Sequence, residues 1–152
     1  MQLIHSYSII QNAFRAGFSM VKIPLTKSTL GLSLVLYKQG FISAVQRGSV
    51  FAPDEIEIPL TRQNISTRRL WLSLKYFEGK PVLQSIRAIS KPSREVTLQF
   101  PALKKFATGY DVPSARGLEP GETAVVSTSR GILGLEDAIS SGLGGMLLCR
   151  VK

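Results

Sequence analysis

Thr123-Ala124-Val125-Val126-Ser127-Thr128-Ser129-Arg130-Gly131 begins as an apolar run fit for a buried strand and closes on three small hydroxyl residues, one cation and one glycine. Such a run reads as a strand that delivers a polar loop to the surface. Just beyond it, Gly134 is placed to start a helix. The first turn of that helix holds Glu136 and Asp137, where carboxylates complement the free N–H groups and the helix dipole. Ser141-Gly142 ends the helix, and Met146 to Val151 reads as a further strand. The chain mixes helices and strands in this way without a sustained βαβ repeat, which points to an α+β fold.

Working outward, Val96 to Phe100 reads as a strand, Pro101 to Phe106 as a short helix, and Tyr110 to Gly121 as a loop rich in Pro and Gly. At the other end, Leu3, Tyr7, Ile10 and Phe14 recur at helical spacing, so residues 2–15 form a one-sided helix that packs on something. Val21-Lys22-Ile23 is a short strand stopped by Pro24, and Thr26 can cap a second helix. Leu30, Leu32, Leu34, Val35 and Leu36 make that helix apolar on most faces, with Gly40 at its end. Phe41 to Gln46 reads as a strand. The irregular stretch Gly48 to Arg69, with Pro53, Pro59 and the basic cluster Thr67-Arg68-Arg69, looks inserted. Leu70, Leu72, Leu74 and Tyr76 alternate with Trp71, Ser73 and Lys75 as a period-two strand. Glu78-Gly79 supplies a turn, and Val82 to Ile89 is expected to be the hairpin partner. Ser90-Lys91-Pro92-Ser93 is linker-like. The expected organisation is two small lobes. Residues 1–91 form an N-terminal αβαββ-type lobe with an insertion at 48–69, and residues 92–152 form a mostly β lobe with a short helix and a loop insertion at 110–121.

With 152 residues, 44% of them hydrophobic, the chain can bury one compact core or two small ones. Nineteen Lys and Arg stand against ten Asp and Glu, a net charge of +9, and such an excess attracts polyanions. Nucleic acid leads, because each neutralised phosphate releases condensed counterions. No apolar run approaches the roughly 20 residues needed to span a bilayer, and the basic residues are scattered, so no membrane partner is expected. Cys149 stands alone in an apolar stretch and reads as a small buried hydrophobe. His5 is the only imidazole, so no His/Cys cluster exists to hold a metal, and no cofactor motif is present. Residues 1–53 contain no Asp or Glu, only Arg15, Lys22, Lys27, Lys38 and Arg47. An acid-poor, Ser-bearing start fits a mitochondrial targeting segment, and it fits equally a half that faces phosphate.

The loop Ser127-Thr128-Ser129-Arg130-Gly131 carries the most chemical information. Hydroxyls both donate and accept, as RNA grooves and exposed bases require; Gly131 lets the backbone approach closely, and Arg130 can meet a phosphate. An ordinary polar loop is the plainer reading of the same residues. A nucleophilic serine is disfavoured, since Ser127 and Ser129 lack the Gly-x-Ser-x-Gly elbow and the one imidazole lies in the first helix. Gly142-Leu143-Gly144-Gly145 follows a helix and precedes a strand, the reverse of the dinucleotide-binding order, and reads as a turn. Glu136 and Asp137 are adjacent and do not share a helix face, so no catalytic carboxylate pair is supported. Tyr76 belongs to the core by its alternation, and Trp71 can be core or stacking residue.

The run Ala124-Val125-Val126-Ser127-Thr128-Ser129-Arg130-Gly131, continued through Gly142-Leu143-Gly144-Gly145 to Leu148-Cys149, resembles the C-terminal block of bacterial small-subunit ribosomal proteins of the S-eight family, with V-S-T-S-K-G followed by G-x-G-G-x-x-x-C. Leu74-Lys75-Tyr76-Phe77-Glu78-Gly79-Lys80, then Ser85-Ile86, Ser90 and Pro92, resembles that family's middle block, and Pro24 to Ile42 its first strand-helix unit. Asn64 to Trp71, Lys80-Pro81-Val82-Leu83 and Leu148 to Lys152 are similar to fungal mitochondrial members.

The resemblance implies a non-enzymatic, two-lobed constituent of the mitochondrial small ribosomal subunit. Such a protein binds the central domain of small-subunit rRNA, supports assembly and translation, and contacts neighbouring proteins, those of the S-five and S-twelve families being expected. By position, Ser127, Thr128, Ser129 and Gly131 match the family loop that contacts rRNA, with Arg130 in place of the usual lysine. Lys27 and Asn12 match first-lobe positions that face RNA, and Thr26 is placed with them. Ile9 and Gln11 stand where bacterial members carry arginines, Met146 replaces a usual glutamate, and Thr97 falls near a usual tyrosine. The segments 48–69 and 110–121 have no bacterial counterpart of that length and are expected to touch mitochondrion-specific proteins or rRNA. The match begins within the first few residues, so the first helix is expected to serve both as targeting signal and as mature structure. A basic RNA-binding regulator acting off the ribosome is the rival reading.

Overall fold

The computed structural model describes residues 2–152, which divide into two compact units, Gln2–Leu83 and Gln84–Lys152. Both mix helix and antiparallel sheet, as an α+β reading requires.

The first unit runs α1 (Gln2–Ala16), β1 (Met20–Pro24), α2 (Lys27–Lys38), β2 (Ile42–Gly48) and β3 (Arg69–Leu74), followed by a small hairpin of β4 (Tyr76–Phe77) and β5 (Lys80–Pro81). The sheet order is β1-β3-β2, all antiparallel. β3 is central because its alternation is clean: Leu70, Leu72 and Leu74 are buried while Arg69, Trp71 and Ser73 are half-exposed. Val21 pairs with Leu72 and Ile23 with Leu70, so the sheet's apolar row is continuous. Each fully buried leucine of this kind contributes about 1.5–3 kcal/mol of transfer free energy. The α1 stripe that meets this core is Tyr7, Ile10, Ala13 and Phe14, joined by the fully buried Ser6.

α2 starts as expected. Thr26 Oγ1 accepts the Thr29 N–H at 3.1 Å and Thr29 Oγ1 accepts the Thr26 N–H at 2.9 Å, a reciprocal cap that uses Thr where Glu is commoner. Leu32, Val35 and Leu36 are its buried apolar residues, while Leu34 and Tyr37 are about half exposed. Trp71, whose role the sequence leaves open, is half-buried and its indole N–H donates to the Ser49 carbonyl at 3.0 Å. Tyr76 is half-buried rather than deep in the core; its hydroxyl donates to the Phe18 carbonyl at 2.7 Å.

The second unit comprises β6 (Ile86–Ala88), β7 (Thr97–Leu98), α3 (Phe100–Ala107), β8 (Thr123–Thr128), β9 (Gly131–Gly134), α4 (Leu135–Ser140) and β10 (Gly145–Val151). Its sheet runs β6-β10-β8-β9, with β7 also paired to β10. Phe106, Leu103, Val126, Leu147, Leu135 and Ala138 lie in one buried cluster that packs α3 and α4 on the sheet. The segment 110–121 is tied down: Val112 joins that cluster, the Gly117 N–H donates to Asp111 Oδ1 at 2.8 Å, and the Leu118 N–H reaches the Phe106 carbonyl.

One expectation about strand pairing changes, and one about a linker. The partner of Tyr76–Phe77 is only Lys80–Pro81, and the expected continuation Val82 to Ile89 instead supplies β6, which pairs with Cys149, Arg150 and Val151 of β10. A period-two pattern identifies a strand without saying which strand it joins. The stretch read as linker, Ser90 to Ser93, is part of a tight turn in the second unit, with Lys91 and Arg94 exchanging two 2.9 Å backbone bonds. Cys149 is fully buried, as expected.

Candidate nucleic-acid interface

The Ser127–Gly131 segment is not a loose loop between a strand and a helix. Gly131 begins β9, so β8 and β9 form a hairpin with only Ser129 and Arg130 between them, in the register Thr128 to Gly131, Ser127 to Ile132, Val126 to Leu133. The sequence hid this strand because Ile132 and Leu133 are the only two apolar residues between glycines.

A two-residue hairpin demands an unusual backbone, and Gly131 supplies it with φ +104°, a value an L side chain would resist. Thr128 fastens the turn: its hydroxyl donates to the Gly131 carbonyl at 2.9 Å and accepts the Arg130 N–H at 3.2 Å. Its bonding is therefore largely used internally. Ser129 and Arg130 are exposed, and neither side chain has a protein partner among the described residues. The hairpin thus spends one hydroxyl on shape and leaves a second hydroxyl and a guanidinium for an external ligand.

Below the tip, Ser127 is half-buried and its hydroxyl also lacks a protein partner among the described residues. Strand pairing sets it in a row: Thr97 on β7 faces Met146 on β10, Met146 faces Ser127 on β8, and Ser127 faces Ile132 on β9. Directly paired residues share a sheet face, and Val126 and Leu147 occupy the opposite face in the core cluster. Positions 97, 127 and 146, far apart in sequence, are thereby gathered into one band leading to the tip. Sequence spacing did not reveal that band.

The band closes so tightly because of a glycine. A Cβ on Gly145 would collide with the Ser127 carbonyl oxygen, and one on Gly144 would lie 2.6 Å from the Leu98 carbonyl. The Gly144-Gly145 pair is therefore a close-approach device that seats β10 against β8 and β7, beyond the turn expected from sequence.

The remaining candidates, Thr26, Lys27 and Asn12, lie in the first unit. Thr26 is committed to capping α2. Lys27 is exposed in the first turn of α2, which has no acidic residue. A cation there opposes the helix dipole and is tolerated more readily when an external anion sits between them. Asn12 is exposed on α1 in a stripe with His5, Ser8 and Arg15, whereas Ile9 and Gln11 are half-buried. The structure thus brings Ser127, Thr128, Ser129, Arg130 and Gly131 together in one hairpin, and holds Thr26, Lys27 and Asn12 as separate positions on the first unit.

Comparison with known proteins gives a family model described as Ribosomal protein S8 that matches residues 3–151. The small ribosomal subunit protein uS8m of Schizosaccharomyces pombe is 53% identical over 152 residues, covering 100% of both chains. The protein of the same name from Neurospora crassa is 40% identical, covering 99% of this chain and 98% of its own length. The bacterial small ribosomal subunit protein uS8 of Acinetobacter baylyi is 32% identical over 94% of this chain and 90% of its own.

Proposed function

The chain belongs to the ribosomal protein S8 family, and from that premise we propose that it is a structural constituent of the mitochondrial small ribosomal subunit which binds the central domain of the small-subunit rRNA and supports subunit assembly. The family is one of structural ribosomal proteins, a class of non-enzymes. Mitochondrial placement follows the fungal relatives, which are mitochondrial small-subunit proteins by name.

The observation that carries the rRNA reading is the β8–β9 tip. Its backbone is fixed by Gly131 and Thr128, while Ser129 Oγ and the Arg130 guanidinium face outward unpartnered among the described residues. A preorganised hydroxyl can read a base or ribose edge, and the guanidinium can take a phosphate. The band Thr97, Met146, Ser127 and Ile132 extends the surface with apolar area against which a base or sugar can pack. Lys27 and Asn12 supply contacts from the first unit, with Thr26 holding the turn that presents Lys27. Proteins of the S-five and S-twelve families are the neighbours we assign to it.

The test is a titration of purified full-length protein against a transcript of the mitochondrial rRNA central domain, with excess unrelated RNA as competitor. Competitor-resistant binding is expected, weakened in Ser129→Ala by about 1–3 kcal/mol with an unchanged melting temperature. Affinity that survives Ser129→Ala intact removes that residue from the interface. Binding abolished by competitor, together with a protein pool that sediments free of small subunits, replaces the ribosomal reading with an off-ribosome one.

A further inference from the structure

The connection between β2 and β3, residues 49–68, is built rather than slack. The Ser49 hydroxyl accepts the N–H groups of Phe51 and Ala52 at 3.2 Å, and Lys22 Nζ donates to the Val50 carbonyl at 2.8 Å. Arg68, 6% exposed, meets Asp54 Oδ1 at 2.9 Å, and the Asn64 side chain bonds the Thr61 N–H and the Pro59 carbonyl. Yet this well-tethered segment turns its large apolar side chains to solvent: Phe51 is 92% exposed, Ile56 80% and Ile65 50%. Large apolar groups held outward by a polar framework leave apolar surface that a partner can cover.

Beside it lies a groove of about 610 Å³ between α2, β2 and this connection, with Leu30, Leu34, Val45 and Ile58 among its walls. Leu34 and Tyr37, the exposed apolar residues of α2, stand one helical turn apart. Charge says what fits. The first unit carries ten Lys and Arg but only four Asp and Glu, and three of the four are Asp54, Glu55 and Glu57. Asp54 is matched by Arg68, whereas Glu55 and Glu57 have no cationic partner among the described residues; both line the groove, against the single guanidinium of Arg47. A polyanion placed there meets two uncompensated carboxylates, so RNA is the wrong occupant for this part of a basic molecule.

We propose that this groove docks a segment of another protein that presents apolar side chains next to a Lys or Arg: the apolar groups seat against Leu30, Leu34 and Ile58, and the cation meets Glu55 and Glu57. The proposal rests on the ribosomal reading only for where the partner is met, since the groove's chemistry does not depend on it.

The experiment replaces Leu34 in the tagged full-length protein with the photo-crosslinking amino acid benzoylphenylalanine. The protein is irradiated in mitochondrial extract, and the adduct is identified by mass spectrometry in both the small-subunit fraction and the free pool. An adduct to a peptide of one other protein with Lys or Arg within a few residues, falling at least tenfold in the Glu55→Lys/Glu57→Lys variant, supports the proposal. An adduct to RNA, to a second copy of this chain, to a protein insensitive to the charge reversal, or no adduct at all overturns it. Co-sedimentation of the same tagged protein reads the ribosomal assignment separately. A charge-sensitive adduct confined to the free pool keeps the groove and loses the ribosome, and a co-sedimenting protein without adduct does the reverse. Both glutamates are exposed, so the variant's melting temperature is expected to match wild type and its rRNA affinity to hold or rise.

Discussion

β2 and β3 are antiparallel neighbours, and so are β8 and β9, but the chain crosses between them in opposite ways. The β8–β9 crossing takes two residues, both exposed, one of them cationic, on a backbone locked by Thr128 and Gly131. The β2–β3 crossing takes the whole of residues 49–68, carries three carboxylates and displays Phe51, Ile56 and Ile65. Neighbouring strands need only a short turn, so a long connection that is nonetheless tethered by hydrogen bonds has been shaped for something other than closing a hairpin. The short crossing suits a polyanion and the long one suits a protein with an apolar and basic face. A single basic chain can therefore serve two kinds of partner by varying only what joins its strands.

Asp54→Ala is the hardest blow to the long crossing. It strands the Arg68 guanidinium, buried beneath the connection, without its carboxylate, and breaking such a pair costs about 3 kcal/mol. Thermal or urea unfolding measures this, and an unchanged midpoint shows that the connection rearranges freely and is not a fixed surface. Gly145→Ala attacks the short crossing from below, by driving a Cβ into the Ser127 carbonyl. A stability loss of about 2 kcal/mol is expected, with a weaker affinity of the folded protein for rRNA. Retained affinity at reduced stability would separate the tip from the packing of β10. The smallest effect belongs to Arg130→Ala. Stability stays put, and the slope of log affinity against log salt falls by about one, as for one phosphate contact. A slope that does not move takes Arg130 off the RNA and leaves the tip to its hydroxyls.

Most of the elements were legible because the apolar pattern is strong where packing is strong. The alternation Leu70, Leu72, Leu74 gave β3, the Thr26 cap gave the start of α2, and Glu136 with Asp137 marked the first turn of α4. What escaped depends on partners rather than on local pattern. β9 is two apolar residues framed by glycines and exists only because β8 lies beside it; β6 has an ordinary strand pattern but a partner some sixty residues away. The site divides in the same way. Ser127 to Gly131 stood out by composition, whereas the band that sets Thr97 beside Met146 and Ser127 needs the register of three strands. Nor did sequence distinguish Thr128, which holds the turn, from Ser129, whose hydroxyl has no protein partner among the described residues, since both are small hydroxyl residues.

The placement of β10 also bears on when the molecule becomes competent. β10 follows in the chain every strand it joins, and β6, β7 and β8 all pair with it. A nascent chain can therefore complete β1, β2 and β3 while the other sheet still lacks its middle. A chain cut short before Gly145 keeps its first unit and loses the support beneath the β8–β9 tip. Order of synthesis thus acts as a check on completeness, because the contact proposed for the β8–β9 tip is open only to molecules whose translation has run through the seven residues of β10.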